Sequence, residues 1–454
     1  MQEFDLIVIG SGSGLDVANA AALHGMKVAV VEKDRMGGTC LNRGCIPSKL
    51  LIHSADVAEM IKTAGLFGIK VDGFSVDFQS IISRASRIVD SDSDGIKTAF
   101  SQIDNPILFS VQCRFVAEKT ITVGSDTIRA DKVLIASGTR PAIPEIDGLD
   151  GSGFLTSDEA LRLAKQPRVL TIIGGGYIAA ELAHFYGALG TKINIVQHRD
   201  LLIPFEDREV AEKFTELFSK KYSVYIDYIT ERVSKNNGTF NVRARDSSGR
   251  AIELESDQLL VATGRVPNSD MLDLGKTGVR TDKNGFITVD KYLETTTRGI
   301  FALGDAVGRY LFKHSANHEA QYAFNNILHP DRKVAVDYIA MPHAIFSWPQ
   351  VASVGYTEQE LKKDRVNYER AVYPYINTAM GHAIEDRDGF VKFLVSKKDG
   401  KILGCHIIGS EASILIHEVL IAMRLGAGID SIARTVHIHP ALSEVVSRAA
   451  SNIA

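Results

Sequence analysis

Two glycine-rich turns, each set between a short apolar run and a helix of small residues, constrain this chain more than any other feature. Leu6–Ile9 is continuously apolar, as a strand buried on both faces must be. Gly10-Ser11-Gly12-Ser13-Gly14 follows, then a small-residue helix over Val17–Leu23, and then the strand Val28-Ala29-Val30-Val31 ending in Glu32. That order is a βαβ dinucleotide site. Gly10, Gly12 and Gly14 let the backbone approach a pyrophosphate, the helix N-terminus favours its charge, and Glu32 can accept the adenosine ribose hydroxyls. Leu15 replaces the third glycine of the usual fingerprint, so the helix is expected slightly further from the strand.

A second unit opens at Val169. Leu170-Thr171-Ile172-Ile173 leads to Gly174-Gly175-Gly176-Tyr177-Ile178-Ala179, a helix from Ala180 to Leu189, and the strand Ile193–Val196. Two such units imply two different dinucleotides held by two domains. The second strand ends Val196-Gln197-His198-Arg199, with no acid where an NAD-specific site would place one. A carboxylate there would repel a 2′-phosphate, whereas Gln197, His198 and Arg199 can donate to it, so NADPH is favoured over NADH.

After Val261-Ala262-Thr263-Gly264-Arg265 the chain is expected to return to the first domain, where Phe301-Ala302-Leu303-Gly304-Asp305 reads as a buried strand ending in an acid. A helix follows around His314–Asn325. From about Met341 the pattern changes, with a hairpin of Val391–Val395 and Ile402–Ile408 around Lys398-Asp399-Gly400 and helices near 411–426 and 441–451. A chain of 454 residues is too long for one core. Its formal charge of −4 makes no electrostatic case for nucleic acid or an anionic membrane. No apolar run reaches the ~18 residues needed to span a bilayer, and the N-terminus enters a strand at once, so a cytosolic location is expected.

Four cysteines in such a chain are not a secreted disulfide framework, and in a reducing compartment a close pair is catalytic more often than structural. Cys40 and Cys45 lie in Gly37-Gly38-Thr39-Cys40-Leu41-Asn42-Arg43-Gly44-Cys45-Ile46-Pro47-Ser48-Lys49. In a regular helix, residues five apart have Cα atoms roughly 8–9 Å apart. A disulfide needs about 4.4–6.8 Å. The pair can bridge only if the first turn is distorted, and Gly44 is the residue expected to permit it; two unlinked thiols is the alternative. With no second cysteine pair a zinc site is not expected. Cys113 and Cys405 read as small buried hydrophobes. Thiol–disulfide exchange needs a base, since the thiolate is the nucleophile. His439 in Val436-His437-Ile438-His439-Pro440 is the candidate, with Glu444 placed to hold one tautomer.

With these residues together, the chain resembles the class I pyridine nucleotide–disulfide oxidoreductases, homodimeric FAD enzymes. The resemblance spans the chain. It rests on Gly10–Gly14, Gly37–Lys49, Ala136-Ser137-Gly138-Thr139-Arg140-Pro141, Gly174–Glu181, Ala262–Asn268, Ala302–Ala306 and His437–Glu444. It implies an α/β fold with two Rossmann-like dinucleotide-binding domains plus a C-terminal α+β dimerisation domain. The expected divisions are 1–147 for FAD, 148–267 for NAD(P)H, 268–338 for the FAD return and 339–454 for the interface.

The resemblance implies roles residue by residue. Cys45 is the thiol nearest the flavin, Cys40 the interchange thiol, and Lys49 with Glu181 the pair beside the flavin N5. Tyr177 covers the nicotinamide pocket, and Asp305 binds the ribityl chain. The helix after Asp305 aims its positive end at the flavin C2 carbonyl. His439 and Glu444 are an acid/base dyad serving the other subunit, and His439–Pro440 is often cis in the family. Gly10, Gly12, Ser13, Gly14, Glu32, Gly38, Thr39, Ser137, Gly138 and Asp305 fall on the flavin side. Gly174, Gly176, Tyr177, Ile178, Glu181, Gln197, His198, Arg199 and Gly264 fall on the nicotinamide side.

Within the family, Ala20 stands where glutathione reductases carry an arginine, and the ending Ser451-Asn452-Ile453-Ala454 lacks the cysteine pair of mercuric reductases. Tyr310–Asn317, His439–Val446 and Leu15 are similar to mycothione reductases. The expectation is therefore NADPH-dependent reduction of a small disulfide, a redox-homeostasis role. The alternative is an NAD-dependent dihydrolipoamide dehydrogenase, which would dock to a 2-oxoacid dehydrogenase complex. A quinone or oxygen reductase is expected only as a side activity.

Overall fold

The computed structural model describes residues 1–453. The chain divides into two compact units. The first comprises Met1–Ser48, Ile82–Ala142 and Gly264–Asp337. Its seven-stranded sheet runs Ile107–Phe109, Val28–Val31, Gln2–Ile9, Asp126–Ile135, Thr120–Val123 and Phe115–Ala117, and Ile300–Ala302 pairs with Asp126–Ile135. The central pairings are parallel, with Leu6 opposite Val28 and Ile9 opposite Ile135. Side chains alternate across a strand, and here each face has its own core. Ile7 and Ile9 join Phe115, Ile121, Val133 and Ile135 on one side. Leu6 and Val8 join Val17, Ala18, Ala21, Phe301 and Ala323 on the other. Apolar residues suit a strand covered on both faces, which is why Leu6–Ile9 is unbroken.

The second unit comprises Lys49–Ile81, Ile143–Thr263 and the segment from Tyr338 on. It holds a four-stranded parallel sheet, ordered Ser223–Tyr225, Lys192–Val196, Val169–Ile173 and Gln258–Val261. An antiparallel meander of Tyr228–Asn236, Thr239–Asp246 and Ala251–Ser256 accompanies it. A five-stranded antiparallel sheet runs Pro342–Ile345, Gln350–Gly355, Ile402–Gly409, Phe390–Ser396 and Tyr368–Pro374. The hairpin read around Lys398–Gly400 is present as Phe390–Ser396 against Ile402–Gly409. The C-terminal helices are Ala412–Arg424 and Glu444–Ser451. The fold is α/β, with a mixed seven-stranded sheet parallel at its centre, a parallel four-stranded sheet and an α+β C-terminal part. Among the described residues no helix is long and apolar enough to cross a membrane.

One buried polar cluster of this unit is fully partnered. Glu206 accepts from His343 Nε2 at 2.7 Å and from Ser353 Oγ at 2.7 Å. Burial pushes His343 down, but the Glu206 charge outweighs it and lifts the imidazole above its ordinary 6.5. Burial likewise pushes Glu206 up, and the His343 charge outweighs it and holds the carboxylate below 4.5. A raised base stabilises the fold below its unfolded pKa and loses that contribution as pH rises; a lowered acid stabilises it above its unfolded pKa and loses it as pH falls. The pair is therefore fully effective between about 4.5 and 6.5. Unfolding of the wild type and His343→Gln, followed at pH 5.5 and 8.5, should show a gap that narrows at the higher pH.

Candidate active site

The first glycine turn is built by close approach. Gly10 has φ +104°, and a Cβ there would lie 2.3 Å from the Ala136 carbonyl oxygen. Gly174 repeats this, with φ +113° and 2.3 Å to the Ala262 oxygen, so both turns press their first glycine onto the neighbouring strand's exit. Gly14 takes a tight contact, where a Cβ would meet Val8 Cγ1 at 2.8 Å, and Leu15 is buried in the core. Glu32 Oε2 accepts from Ser11 N at 2.9 Å and Ser11 Oγ at 2.7 Å, and Oε1 accepts from Asp34 N at 2.8 Å. Ser13 donates to Asn317 Oδ1 at 2.8 Å and accepts from Lys313 Nζ at 2.9 Å, both on the helix Lys313–Leu328.

Asp305 sits in a short 3₁₀ turn after the strand Ile300–Ala302. Arg265 Nε donates to Thr139 Oγ1 at 2.7 Å, and that hydroxyl donates to Asp305 Oδ2 at 2.8 Å. Burial raises the Asp305 carboxyl above its ordinary value. Gly138 has φ +64° with open space where a Cβ would be, and the Ser137 hydroxyl is buried without a partner. Gly264 is left-handed and accepts from Ala142 N at 2.9 Å.

Cys40 and Cys45 lie on either side of a break rather than in one distorted helix. The helix Gly38–Arg43 ends at Gly44, and Cys45 begins the helix Cys45–Thr63. A Cβ on Gly44 would lie 2.9 Å from the Thr39 carbonyl oxygen and 3.3 Å from Cys40 Cα, so only glycine lets the chain fold back here. Gly38, at φ +65°, is equally crowded by the Gly12 backbone at 2.8 Å. Both cysteines are thiols here, Cys40 half-buried and Cys45 exposed. Cys40 donates to the Cys45 sulfur, and this bond and burial push Cys40 far up, against the pull of Lys313 and the Cys45 backbone N–H. Gly44→Ala should separate the pair and slow closure of the disulfide about tenfold, one decade per 1.4 kcal/mol of strain, read by thiol titration after mild oxidation.

Lys49 stands one turn after Cys45. Its Nζ reaches Glu181 Oε1 at 2.9 Å and Oε2 at 2.8 Å, and Glu181 is on the helix Tyr177–Ala188 with Tyr177 and Ile178 in its first turn. Glu181 Oε1 also accepts from Phe346 N at 3.1 Å, and Lys49 Nζ sits 4.5 Å from the Phe346 ring centre. Gly176 caps this helix. Gln197 does not face outward with its neighbours. It is buried, its Nε2 donates to Leu201 O at 3.2 Å, and its Oε1 accepts from His198 N at 3.0 Å. His198 and Arg199 are exposed, with the Arg199 guanidinium 4.9 Å over the Phe205 ring.

His439 Nδ1 bonds Glu444 at 3.0 and 3.1 Å, and the His439–Pro440 peptide is cis. The His439 hydrogen bond draws the Glu444 carboxyl below its ordinary value. Glu444 is nearly buried while the His439 ring is 70% exposed, so the acid orients and the imidazole is presented. His437 is tied to Glu418 at 2.8 Å and to Thr435 O, which makes it a structural partner.

These groups make three couples: a dithiol, a lysine–carboxylate pair and a histidine–carboxylate dyad. The pyridine nucleotide-disulphide oxidoreductase model matches residues 4–323, and the dimerisation-domain model of the same name matches 341–450. The chain belongs to the pyridine nucleotide-disulphide oxidoreductase family. Among curated relatives, mycothione reductase of Mycobacterium tuberculosis is 34% identical over 464 residues, covering 99% of each chain. Dihydrolipoyl dehydrogenase of Bacillus subtilis is 32% identical over 469 residues, covering 99% of this chain and 97% of its own. The HOCl-induced flavoprotein disulfide reductase RclA from Escherichia coli, solved as a Cu(II) complex, superposes with a TM-score of 0.90 at 25% identity over 100% of both chains. Members of this oxidoreductase family are FAD-dependent and use NAD(P)H. This member carries the family's dimerisation domain.

The first unit of this oxidoreductase fits FAD. The glycine turn leaves open space at Gly12, the Ser137 hydroxyl is orphaned, and Asp305 uses only Oδ2 on protein groups. Sequence reasoning passed over Lys313, Asn317, Thr139 and Arg265 as working residues. All four stand inside motifs quoted for the resemblance, but nothing in spacing alone shows that Lys313 reaches toward Cys40 or that Thr139 orients Asp305.

Proposed function

We propose that this protein is an FAD-dependent, NADPH-linked reductase of a low-molecular-weight disulfide, working as a homodimer in a reducing cytoplasm. The observation that carries the reading is the Cys40–Cys45 pair, two thiols on either side of a helix break folded tightly enough that only glycine fits at position 44. FAD, when bound, supplies the two-electron link between a nicotinamide and this dithiol. Glu32, the glycine turn, Ser137 and Asp305 would hold it.

The chain's own chemistry is thiol–disulfide exchange. The thiolate is the nucleophile, so attack of Cys40 on a substrate disulfide requires a base to take the thiol proton. His439 of the partner subunit takes the Cys40 proton. The Cys40 thiolate then forms a mixed disulfide with one substrate sulfur, and the other leaves as a thiolate that receives the proton back from the imidazole. Cys45 attacks Cys40, expels the second thiol and closes the disulfide. Two thiols leave, and the enzyme is left two electrons short for the nicotinamide to restore.

An exposed apolar surface supports the dimer. Val436 is 95% exposed and Ile438 78%, both in the segment that leads into His439, and apolar side chains so placed call for cover. NADPH is supported by the exposed His198 and Arg199. Gln197 is a brace for its own loop, which leaves Arg199 as the charge for a 2′-phosphate. Arg199→Glu should lower kcat/KM for NADPH about tenfold or more, the worth of one charged hydrogen bond, with NADH changed less than threefold.

Dihydrolipoamide oxidation uses the same groups in reverse, and the dihydrolipoyl dehydrogenases among the relatives favour it as the second reading. One panel decides: kcat/KM for NADPH and NADH against lipoamide, mycothione and glutathione disulfide. NADPH with a thiol-cofactor disulfide supports the proposal, and NADH with lipoamide overturns it.

A further inference from the structure

The helix Cys45–Thr63 meets the helix Tyr177–Ala188 through two polar rungs. Lys49–Glu181 is the first. The second is Asp56 Oδ1 with His184 Nε2, at 2.7 Å. Lys49 and Asp56 are seven residues apart and Glu181 and His184 three, so each helix presents both of its groups on one face.

The second rung is a costly thing to keep. His184 is fully buried, and its Nδ1 has no partner. Nε2 meets Asp56 while the other ring nitrogen makes no hydrogen bond, a cost that an apolar residue of similar volume would avoid. A buried polar group kept on such terms calls for a reason.

One loop touches both rungs. Phe346 N donates to Glu181 and the Phe346 ring lies under Lys49. Two residues on, Trp348 stacks on His184 with ring centres 6.5 Å apart and planes 26° apart. Tilting either helix or shifting the loop disturbs both couples together.

We propose that Asp56 and His184, backed by Trp348, are positioning residues that fix the Lys49–Glu181 pair and thereby set the reduction potential of the bound flavin. This rests on the reading that Lys49 and Glu181 lie beside the flavin. A fixed ammonium favours the electron-rich reduced ring, and a loosened one favours it less.

The test measures the flavin's two-electron midpoint potential in the loaded dimer for Lys49→Met, His184→Leu and His184→Gln. His184→Leu should lower it by about 30 mV, a tenfold change in the equilibrium for two electrons. His184→Gln keeps a donor for Asp56 and should recover most of that. An unchanged potential in His184→Leu, while Lys49→Met shifts it, overturns the positioning role and leaves the rung a packing device. An unchanged potential in Lys49→Met overturns the reading beneath it, and this proposal with it. Should His184→Leu fail to bind flavin, Asp56→Asn carries the same expectation, and an unmoved potential there overturns it equally.

Discussion

Cys40→Ser will reduce disulfide turnover to background while leaving the flavin reducible by NADPH. The hydroxyl fits the Cys40 site but its oxygen cannot form the mixed disulfide, so exchange has no first step. Cys45→Ser should fail one step later. Cys40 still attacks, nothing expels the second thiol, and the protein accumulates one equivalent of substrate thiol bound to Cys40. Mass spectrometry after one turnover separates the two variants. A Cys40→Ser enzyme that still reduced small disulfides at more than a few per cent of the wild-type rate would sink the exchange mechanism. His439→Ala should fall between, losing about 10²–10⁴-fold, the usual worth of a positioned acid/base. The loss should be complemented in mixed dimers with Cys40→Ser, because one active site then regains both groups.

The second large effect concerns stability. Lys392→Met should cost about 3–5 kcal/mol, the penalty for stranding buried charges. Lys392 is 1% exposed on the middle of a strand covered on both faces. Its ammonium meets Glu358 at 2.7 Å, Asp207 at 2.8 Å and Glu209 at 3.1 Å. Asp207 also caps the helix Arg208–Lys221 and accepts from Glu358 N, so one cation secures two helix starts. Against burial, hydrogen bonds from Lys362 and Lys392 hold Glu358 at about 2. A lowered acid stabilises the fold above its unfolded value of 4.5 and loses that as pH falls through about 2. The penalty in Lys392→Met should therefore be full at pH 7 and shrink below about 4.5 as the stranded carboxylates take up protons. Hydrogen exchange of the Phe390–Ser396 amides reads this locally. Equal protection in mutant and wild type at pH 7 would show that the cluster contributes nothing net.

Much of this was legible in the residues. Leu6–Ile9 announced a doubly covered strand because no polar residue interrupts it, and both glycine turns announced nucleotide sites because only glycine tolerates such backbone contact. Gly44 was identified correctly, but through the wrong geometry. Spacing suggested a strained helical turn, whereas the structure breaks the helix, which a periodicity argument cannot distinguish. The fingerprint draws the eye to Leu15, whereas a tight helix–strand contact that the structure shows is at Gly14, one residue earlier. Lys392 was invisible, since a lysine within Phe390–Ser396 reads as the solvated face of a strand until its three carboxylates arrive from 207, 209 and 358. Gln197 was read as a ligand donor because its own loop's use of both amide ends depends on tertiary contact.

The strand Ile300–Ala302 completes a sheet whose neighbour, Asp126–Ile135, was made far earlier. On a ribosome adding about 5–20 residues per second, Val133-Leu134-Ile135 would wait on the order of ten to thirty seconds for that partner. All three are fully buried in the finished protein. Until then they form an open apolar sheet edge, the kind of surface that joins strangers. The interrupted chain order thus leaves an apolar edge waiting during synthesis, and slow translation or a shortage of chaperones should lower soluble yield, read as the soluble fraction of newly made chain.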